Sequence, residues 1–364
     1  MQVTIVGLPG SGKTTVFNAL TGSHAETGTF SGGRAAPNIG VVKVPDERLT
    51  ALSTLFTPKK TTSADVTYVD VAIPAGAARE GTIAPDAMTQ IRNADALLHV
   101  ARAFEDPGNA VAADPWRDVE DLDLEFTVAD LMVIEKRLEK LRTSGRHGSQ
   151  AEREQNAREE ELLGRLEPHL SEGRPLRAFP LNDDEELLLR GYRFLTQKPA
   201  LVIVNIDDSR LPEAAALEAD GKVRYDQPQT DVAALAAKIE AEIGELPADD
   251  AMAFMDDLGI AEPSRGRVIG LTYALLGLFS FFTAGEDECR AWTLSMGASA
   301  VDAAGAIHSD LARGFIRAEV IGYEELLACG TMVEARKRGL LRSEGKTYAV
   351  RDGDVLQILF NVAR

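Results

Sequence analysis

Residues 7–14 read Gly7-Leu8-Pro9-Gly10-Ser11-Gly12-Lys13-Thr14, the spacing G-x-x-x-x-G-K-[ST]. An apolar run, QVTIV (2–6), precedes it, and a helix-compatible stretch, TTVFNALTG (14–22), follows. In that setting the glycines let successive backbone N–H groups curl around phosphate oxygens. The lysine adds a point charge toward the outer phosphates, and the hydroxyl ligates Mg²⁺. Pro9, Gly10, Ser11, Gly12, Lys13, Thr14 and Thr15 are therefore the candidate phosphate-binding residues. Lys13 is also a candidate catalytic residue and Thr14 a candidate metal ligand.

A loop of this kind needs an acid at the end of a neighbouring strand to hold the magnesium and its water. Asp70, closing VTYVD (66–70), takes that place. A third apolar run, ALVIVN (200–205), ends in Asn205-Ile206-Asp207-Asp208, the N-x-x-D spacing with which P-loop GTPases read a purine. An ionised carboxylate only accepts hydrogen bonds, so Asp208 suits the two donors on the guanine edge. Adenine presents an acceptor where guanine presents one of them. A fourth run, DALLHVA (95–101), carries His99. Such strands alternating with helical stretches predict an α/β fold, a P-loop domain with a parallel sheet and its ligand at the carboxyl ends of the strands.

Charge divides the rest of the chain. The 364 residues carry 57 acidic and 39 basic side chains, a formal net charge of -18. Residues 1–116 and 279–364 are each -2, whereas 117–172 are -6 and 173–278 are -8. Bulk acidity opposes indiscriminate coating of nucleic acid and leaves directed contacts open. In 117–172, Leu131, Ile134, Leu138 and Leu141 follow helical spacing, TSGRHGS (143–149) interrupts it, and Leu163, Leu166 and Leu170 resume it. The expected organisation is a parallel-sheet α/β domain over 1–118 and 173–278, a helical hairpin inserted at 119–172, and a small α+β domain at 279–364. In the last, CRAWTL, GFIRAEVI, KTYAV and VLQILFNV are candidate strands and Asp352-Gly353-Asp354 a turn.

Cys289 and Cys329 are too few for a disulfide framework, and five histidines show no zinc-ligand spacing with them. The opening MQVTIVGLPG has no basic n-region, so a reduced, cytoplasmic protein is expected. Val268 to Gly285 are eighteen consecutive uncharged residues, the lower limit for a membrane span. Their composition shifts from Leu/Ala to Phe/Thr, which predicts a buried helix running into a strand and no membrane contact.

With these residues in place the chain resembles the YchF/Obg-like ATPase family. The matching stretches are GLPGSGKTTVFNALTG (7–22), PNIGVVKVPDERLTAL (37–52), IRNADALLHVARAFED (91–106), AKIEAEIGEL (237–246) and FFTAGEDECRAWTLSMGA (281–298). To these is added HSDLARGFIRAEVI through EGKTYAVRDGDVLQILFNV at the C-terminus. The resemblance implies a G domain interrupted by a helical hairpin and followed by a TGS domain, a β-grasp module found in proteins that contact RNA or the ribosome. It also implies a preference for ATP, through a base motif resembling NxxE, where this chain has Asp208. Family and residue pull apart, and ATP is placed slightly ahead of GTP.

Other departures from the family pattern fall on its moving parts. Either Ile73 stands where the family has the glycine of D-x-x-G or that glycine is lost in a one-residue deletion; the family's switch threonine is either replaced by Arg34 or absent, with Thr29 or Ser31 as weak substitutes beside Gly32-Gly33. His99 resembles a family histidine and is the candidate for positioning the attacking water. A lone strand histidine is also a common hydrogen-bonded core residue. Arg336, Lys337, Arg338, Arg342 and Lys346, against Glu334 and Glu344, form a local basic feature suited to ribosomal RNA, or simply a solvated helix and loop. The expected function is a Mg²⁺-dependent purine nucleoside triphosphatase, slow, monomeric and ribosome-associated. The alternative is a nucleotide-gated binding module with little or no hydrolysis.

Overall fold

The run QVTIV forms β1 (Gln2–Val6), and the glycine-rich stretch leads from it into α1 (Lys13–Thr21). The structure, a computed structural model, describes residues 1–25, 36–71, 83–106, 112–144 and 149–361. After α1 come β2 (Asn38–Lys43), α2 (Glu47–Phe56), β3 (Lys60–Thr62), β4 (Asp65–Asp70), α3 (Pro85–Asn93) and β5 (Ala96–Arg102). The leucine-spaced helices are α4 (Pro115–Ser144) and α5 (Gln150–Ser171), followed by α6 (Asp183–Leu189). Next are β6 (Ala200–Asn205), α7 (Ala214–Arg224), β7 (Thr230–Leu235), α8 (Ala237–Glu245), α9 (Ala248–Leu258) and α10 (Ser264–Leu275). The chain finishes through β8 (Leu278–Ala284), β9 (Glu288–Ser295), α11 (Ala300–Ile307), β10 (Phe315–Gly322), β11 (Arg342–Glu344) and β12 (Asp354–Phe360), with short helices between.

Two compact units result, and their division is not linear. The first comprises Met1–Val41 and Thr67–Val268; the second comprises Val42–Val66 and Ile269–Arg364. Residues 42–66 thus leave the N-terminal part of the chain that the sequence assigns to the G domain, and join the C-terminal unit.

In the first unit the strand order is β2-β4-β1-β5-β6-β7, with β4, β1, β5, β6 and β7 mutually parallel. The strands are near-continuous apolar runs because helices cover both faces. One cluster joins Val6, Val69 and Leu97 to Ile91 of α3 and Leu122 and Phe126 of α4. Another joins Val202, Val204, Val232 and Ala234 to Val119 of α4 and Ile239 and Ile243 of α8. The hairpin closes on its own leucines: Ile134, Leu138 and Leu141 meet Leu162, Leu163, Leu166 and Leu170. Arg137 locks the two helices through both oxygens of Glu159, at 2.8 and 2.7 Å. A Ser149–Glu152 capping box starts α5.

In the second unit β8 and β9 form an antiparallel hairpin, α11 packs on the sheet, and β12 lies parallel to β8 and antiparallel to β10, a β-grasp arrangement. The inserted residues extend it. β3 pairs parallel with β9, from Lys60↔Glu288 to Thr62↔Arg290. Arg48, at the start of α2, holds Asp46 and Asp352 and lies over the rings of Phe282 and Tyr323.

The uncharged stretch 268–285 divides as its composition predicts, the end of α10 turning at Gly277 (φ +63°) into β8. No helix among the described residues is long and apolar enough to cross a membrane. One expected strand fails: KTYAV makes only an isolated bridge, Ser299↔Ala349. Tyr348 instead packs against the second unit's core and donates its hydroxyl to Asp354 at 2.8 Å.

Candidate nucleotide-binding site

The parallel sheet delivers three of the expected side chains to one edge, because β1, β4 and β6 all end there: the first at the glycine-rich loop, the others at Asp70 and Asn205. Two glycines make the loop possible. Gly7 (φ +155°) runs so close to β5 that a Cβ would lie 2.4 Å from the Val100 carbonyl oxygen. Gly12 is left-handed (φ +87°), and a Cβ there would lie 2.3 Å from Asn205 Nδ2.

Gly12 is also the N-cap of α1. No side chain caps this helix and no acid occupies its first turn. Its opening amides and the positive end of its dipole therefore remain available to an anion. Pro9 and Gly10 form the turn closed by Ser11 N donating to Leu8 O (3.2 Å), and Thr15 lies half-buried in the first turn of α1. The Lys13 ammonium folds back over the loop and donates to Gly7 O and Leu8 O, both at 3.0 Å. Burial lowers its pKa to about 8, against the opposing pull of Asp70.

Thr14 Oγ1 donates to Asp70 Oδ2 at 2.8 Å, so the candidate hydroxyl and carboxylate meet directly. Asp70 is 5 % exposed, and the same oxygen accepts from Asn38 Nδ2 at 3.2 Å. This pair of hard oxygen donors suits a divalent cation that takes most of its remaining ligands from water and phosphate. Among the described residues no group of three His, Cys, Asp or Glu side chains forms a fuller metal cage. Asn38 escapes sequence reasoning because an Asn at the start of a weakly patterned edge strand carries no local signal.

Asn205 is buried and works on the loop itself. Its Nδ2 donates to Ser11 O at 3.0 Å, and its Oδ1 accepts from Ala237 N at 3.3 Å. It thus ties the phosphate loop to the start of α8, a connection with no motif of its own beyond the small residues Ala236 and Ala237. Asp208 is exposed three residues further on, where its carboxylate accepts from Ser209 N at 2.9 Å.

His99 lies opposite Val6, one residue before the loop, and is 2 % exposed. Its Nε2 has no hydrogen-bond partner among the described residues. Burial lowers its pKa to about 4; Asp123 opposes the shift, while Arg177 and Lys13 reinforce it. The ring is neutral at pH 7, so any part it takes in hydrolysis is that of a positioning residue or requires movement of the chain. Thr29, Ser31, Gly32, Gly33, Arg34 and Ile73 lie outside the described residues.

Residues 278–361 match the family model YchF-GTPase_C, described as a protein of unknown function, and residues 2–136 match the model of a 50S ribosome-binding GTPase. The ribosome-binding ATPase YchF of Bacillus subtilis is 38% identical over 365 residues, 98% of each chain. Its Haemophilus influenzae counterpart is 37% identical over 362 residues, and that of Mycoplasma genitalium 35% identical over 372 residues, 100% of each chain. The solved structure of the Schizosaccharomyces pombe YchF GTPase superposes with a TM-score of 0.83 at 25% identity, covering 99% of this chain and 97% of that one. A match of this extent, over a P-loop domain whose Thr14 and Asp70 meet at the sheet edge, makes this chain a member of the YchF family.

Proposed function

We propose that this chain binds a purine nucleoside triphosphate with Mg²⁺, ATP ahead of GTP, hydrolyses it slowly, and associates with the ribosome in a nucleotide-dependent way in the cytoplasm. The observation that carries the reading is the Thr14–Asp70 hydrogen bond beside an uncapped helix N-terminus. The α1 amides and Lys13 receive the phosphates, while Asn205 holds Ser11 so that the loop keeps its curl. Thr14 and Asp70 would hold the cation, and Asn38 fixes the Asp70 carboxylate. Mg²⁺ held there would supply charge that offsets what develops on the phosphate oxygens. Asp208, exposed beyond Asn205, receives the base edge.

ATP is placed first because the bacterial relatives at 35–38% identity carry the name ATPase, although the S. pombe relative is called a GTPase and Asp208 itself favours guanine. Competition of ATP and GTP for the purified protein tests the order: ATP is expected to bind more tightly, and more so in Asp208→Glu. Equal affinities for both, unmoved by that change, would remove the base assignment.

The ribosome enters through the names of the relatives. The basic feature of the C-terminal unit supports it modestly, since Arg336 pairs with Glu319, Arg338 with Glu334 and Arg342 with Asp354. Lys337 and Lys346 have no ion pair among the described residues. Co-sedimentation with ribosomes is expected to differ severalfold between triphosphate-bound and diphosphate-bound protein, and equal pelleting in the two states would defeat the coupling.

A further inference from the structure

A cavity of about 480 Å³ opens at the edge of the parallel sheet opposite the phosphate loop. Ala94 and Asp95, just before β5, Pro199, just before β6, and Gln229, just before β7, form its floor. Its walls carry Arg92, Arg177, Arg190, Arg193 and Lys198, against the acids Asp95 and Glu186. In a chain of net charge -18 such a concentration of cations is unexpected. We propose that this cavity is a second anion site, separate from the phosphate loop, that takes a phosphorylated small molecule carrying at least two negative charges.

Charge sets the ligand class. Arg92 is committed to Asp130 at 2.9 Å, but Arg177, Arg190, Arg193 and Lys198 form no salt bridge among the described residues. Within the cavity lining those four stand against Asp95 and Glu186, with Asp130 near Lys198 already held by Arg92, an excess that a phosphate dianion matches and a neutral or monoanionic metabolite does not. Arg177 donates from Nη1 to Lys198 O at 3.0 Å and also reaches the Tyr225 side chain, yet its buried Nε–H has no acceptor among the described residues, an orphaned donor of the kind native interiors rarely leave. Guanidinium forks are well suited to phosphate oxygens. The volume lies within the range of small-molecule sites and admits a compact phosphate compound.

Backbone geometry points the same way. Among the described residues three non-glycine positions have positive φ, and two of them, Arg193 (+52°) and Gln229 (+55°), line this cavity. Strained backbone of this type collects where structure is shaped for a ligand. Lys198 donates to Ala94 O at 2.5 Å. Its pKa is lowered to about 8 by burial, with Asp95 and Asp130 opposing and Arg193 and Arg92 adding to the shift, as expected of an ammonium crowded by positive charge.

The test is calorimetric titration of inorganic pyrophosphate into the full chain with the phosphate loop saturated by a non-hydrolysable triphosphate and Mg²⁺. One further equivalent is expected to bind. Arg190→Gln, at an exposed position whose loss leaves the core intact, and Arg177→Gln should each weaken it about tenfold or more. Lys13→Ala should leave this second event in place. Absence of a second equivalent, its indifference to Arg190→Gln, or its loss in Lys13→Ala would overturn the proposal, and the first two leave the nucleotide reading at the other edge untouched.

Discussion

Lys13→Ala is expected to slow single-turnover hydrolysis of ATP by about a hundredfold or more, the scale of removing one preorganised charge from a developing oxyanion. A wild-type rate no faster than that of Lys13→Ala would instead favour a nucleotide-gated binding module. The same side chain gives the reaction a pH signature. In the nucleotide-free chain its pKa is lowered from 10.5 to about 8 by burial. The buried ammonium therefore costs stability in full below pH 8, and that cost fades as the pH rises toward 10.5. An arriving triphosphate stabilises the charged form and raises the pKa again. Near pH 9 binding should accordingly take up close to one proton, and affinity should fall as pH rises past 8. Calorimetry in two buffers of different ionisation enthalpy reads that uptake directly; an equal uptake by Lys13→Ala would assign it elsewhere.

Asp130→Ala is expected to cost about 3–5 kcal/mol of stability, the scale of breaking a buried, hydrogen-bonded ion pair from one side. Asp130 is fully buried on α4 and accepts four parts of one network. Arg92 Nη1 reaches Oδ1 at 2.9 Å, Thr196 N and Thr196 Oγ1 both reach Oδ2 at 2.9 Å, and Leu195 adds a backbone hydrogen bond. Burial raises the pKa of the carboxyl, while these donors and the Arg92 charge pull it down. Alanine would strand the Thr196 hydroxyl and leave a guanidinium that is mostly buried without its counterion. Asp130→Asn retains the shape and part of the hydrogen bonding, so it should cost less. Urea denaturation measures both, and a loss below about 1 kcal/mol for alanine would show that Arg92 finds another partner.

The features legible in the sequence are those whose signal is local. An apolar run that stops at a glycine, an Asp or an Asn already states where a buried strand ends, and parallel strands put such ends at one edge. Thr14 and Asp70 could therefore be paired from spacing and chemistry, and the 268–285 stretch could be split by its change from Leu/Ala to Phe/Thr. The features that escaped depend on distant partners. Asn38, the Ala236–Ala237 connection and Asp130 acquire meaning only when β4, β6 and Thr196 arrive beside them. KTYAV has strand-like residues, yet the chain uses Tyr348 as a buried anchor for Asp354 and makes no ladder. The cationic cavity gathers residues from 92 to 229, and no window of sequence shows them together.

The passage of residues 42–66 into the second unit makes that unit non-contiguous along the gene. A fragment beginning near residue 279 would contain the β-grasp strands but neither β3, which covers the free edge of β9, nor Arg48, which joins Asp352 to the Phe282 and Tyr323 rings. A single cut of the chain therefore cannot release this unit whole. Its sheet and the sheet bearing the phosphate loop are encoded as interleaved segments, because one stretch of twenty-five residues interrupts the first unit's chain to complete the second.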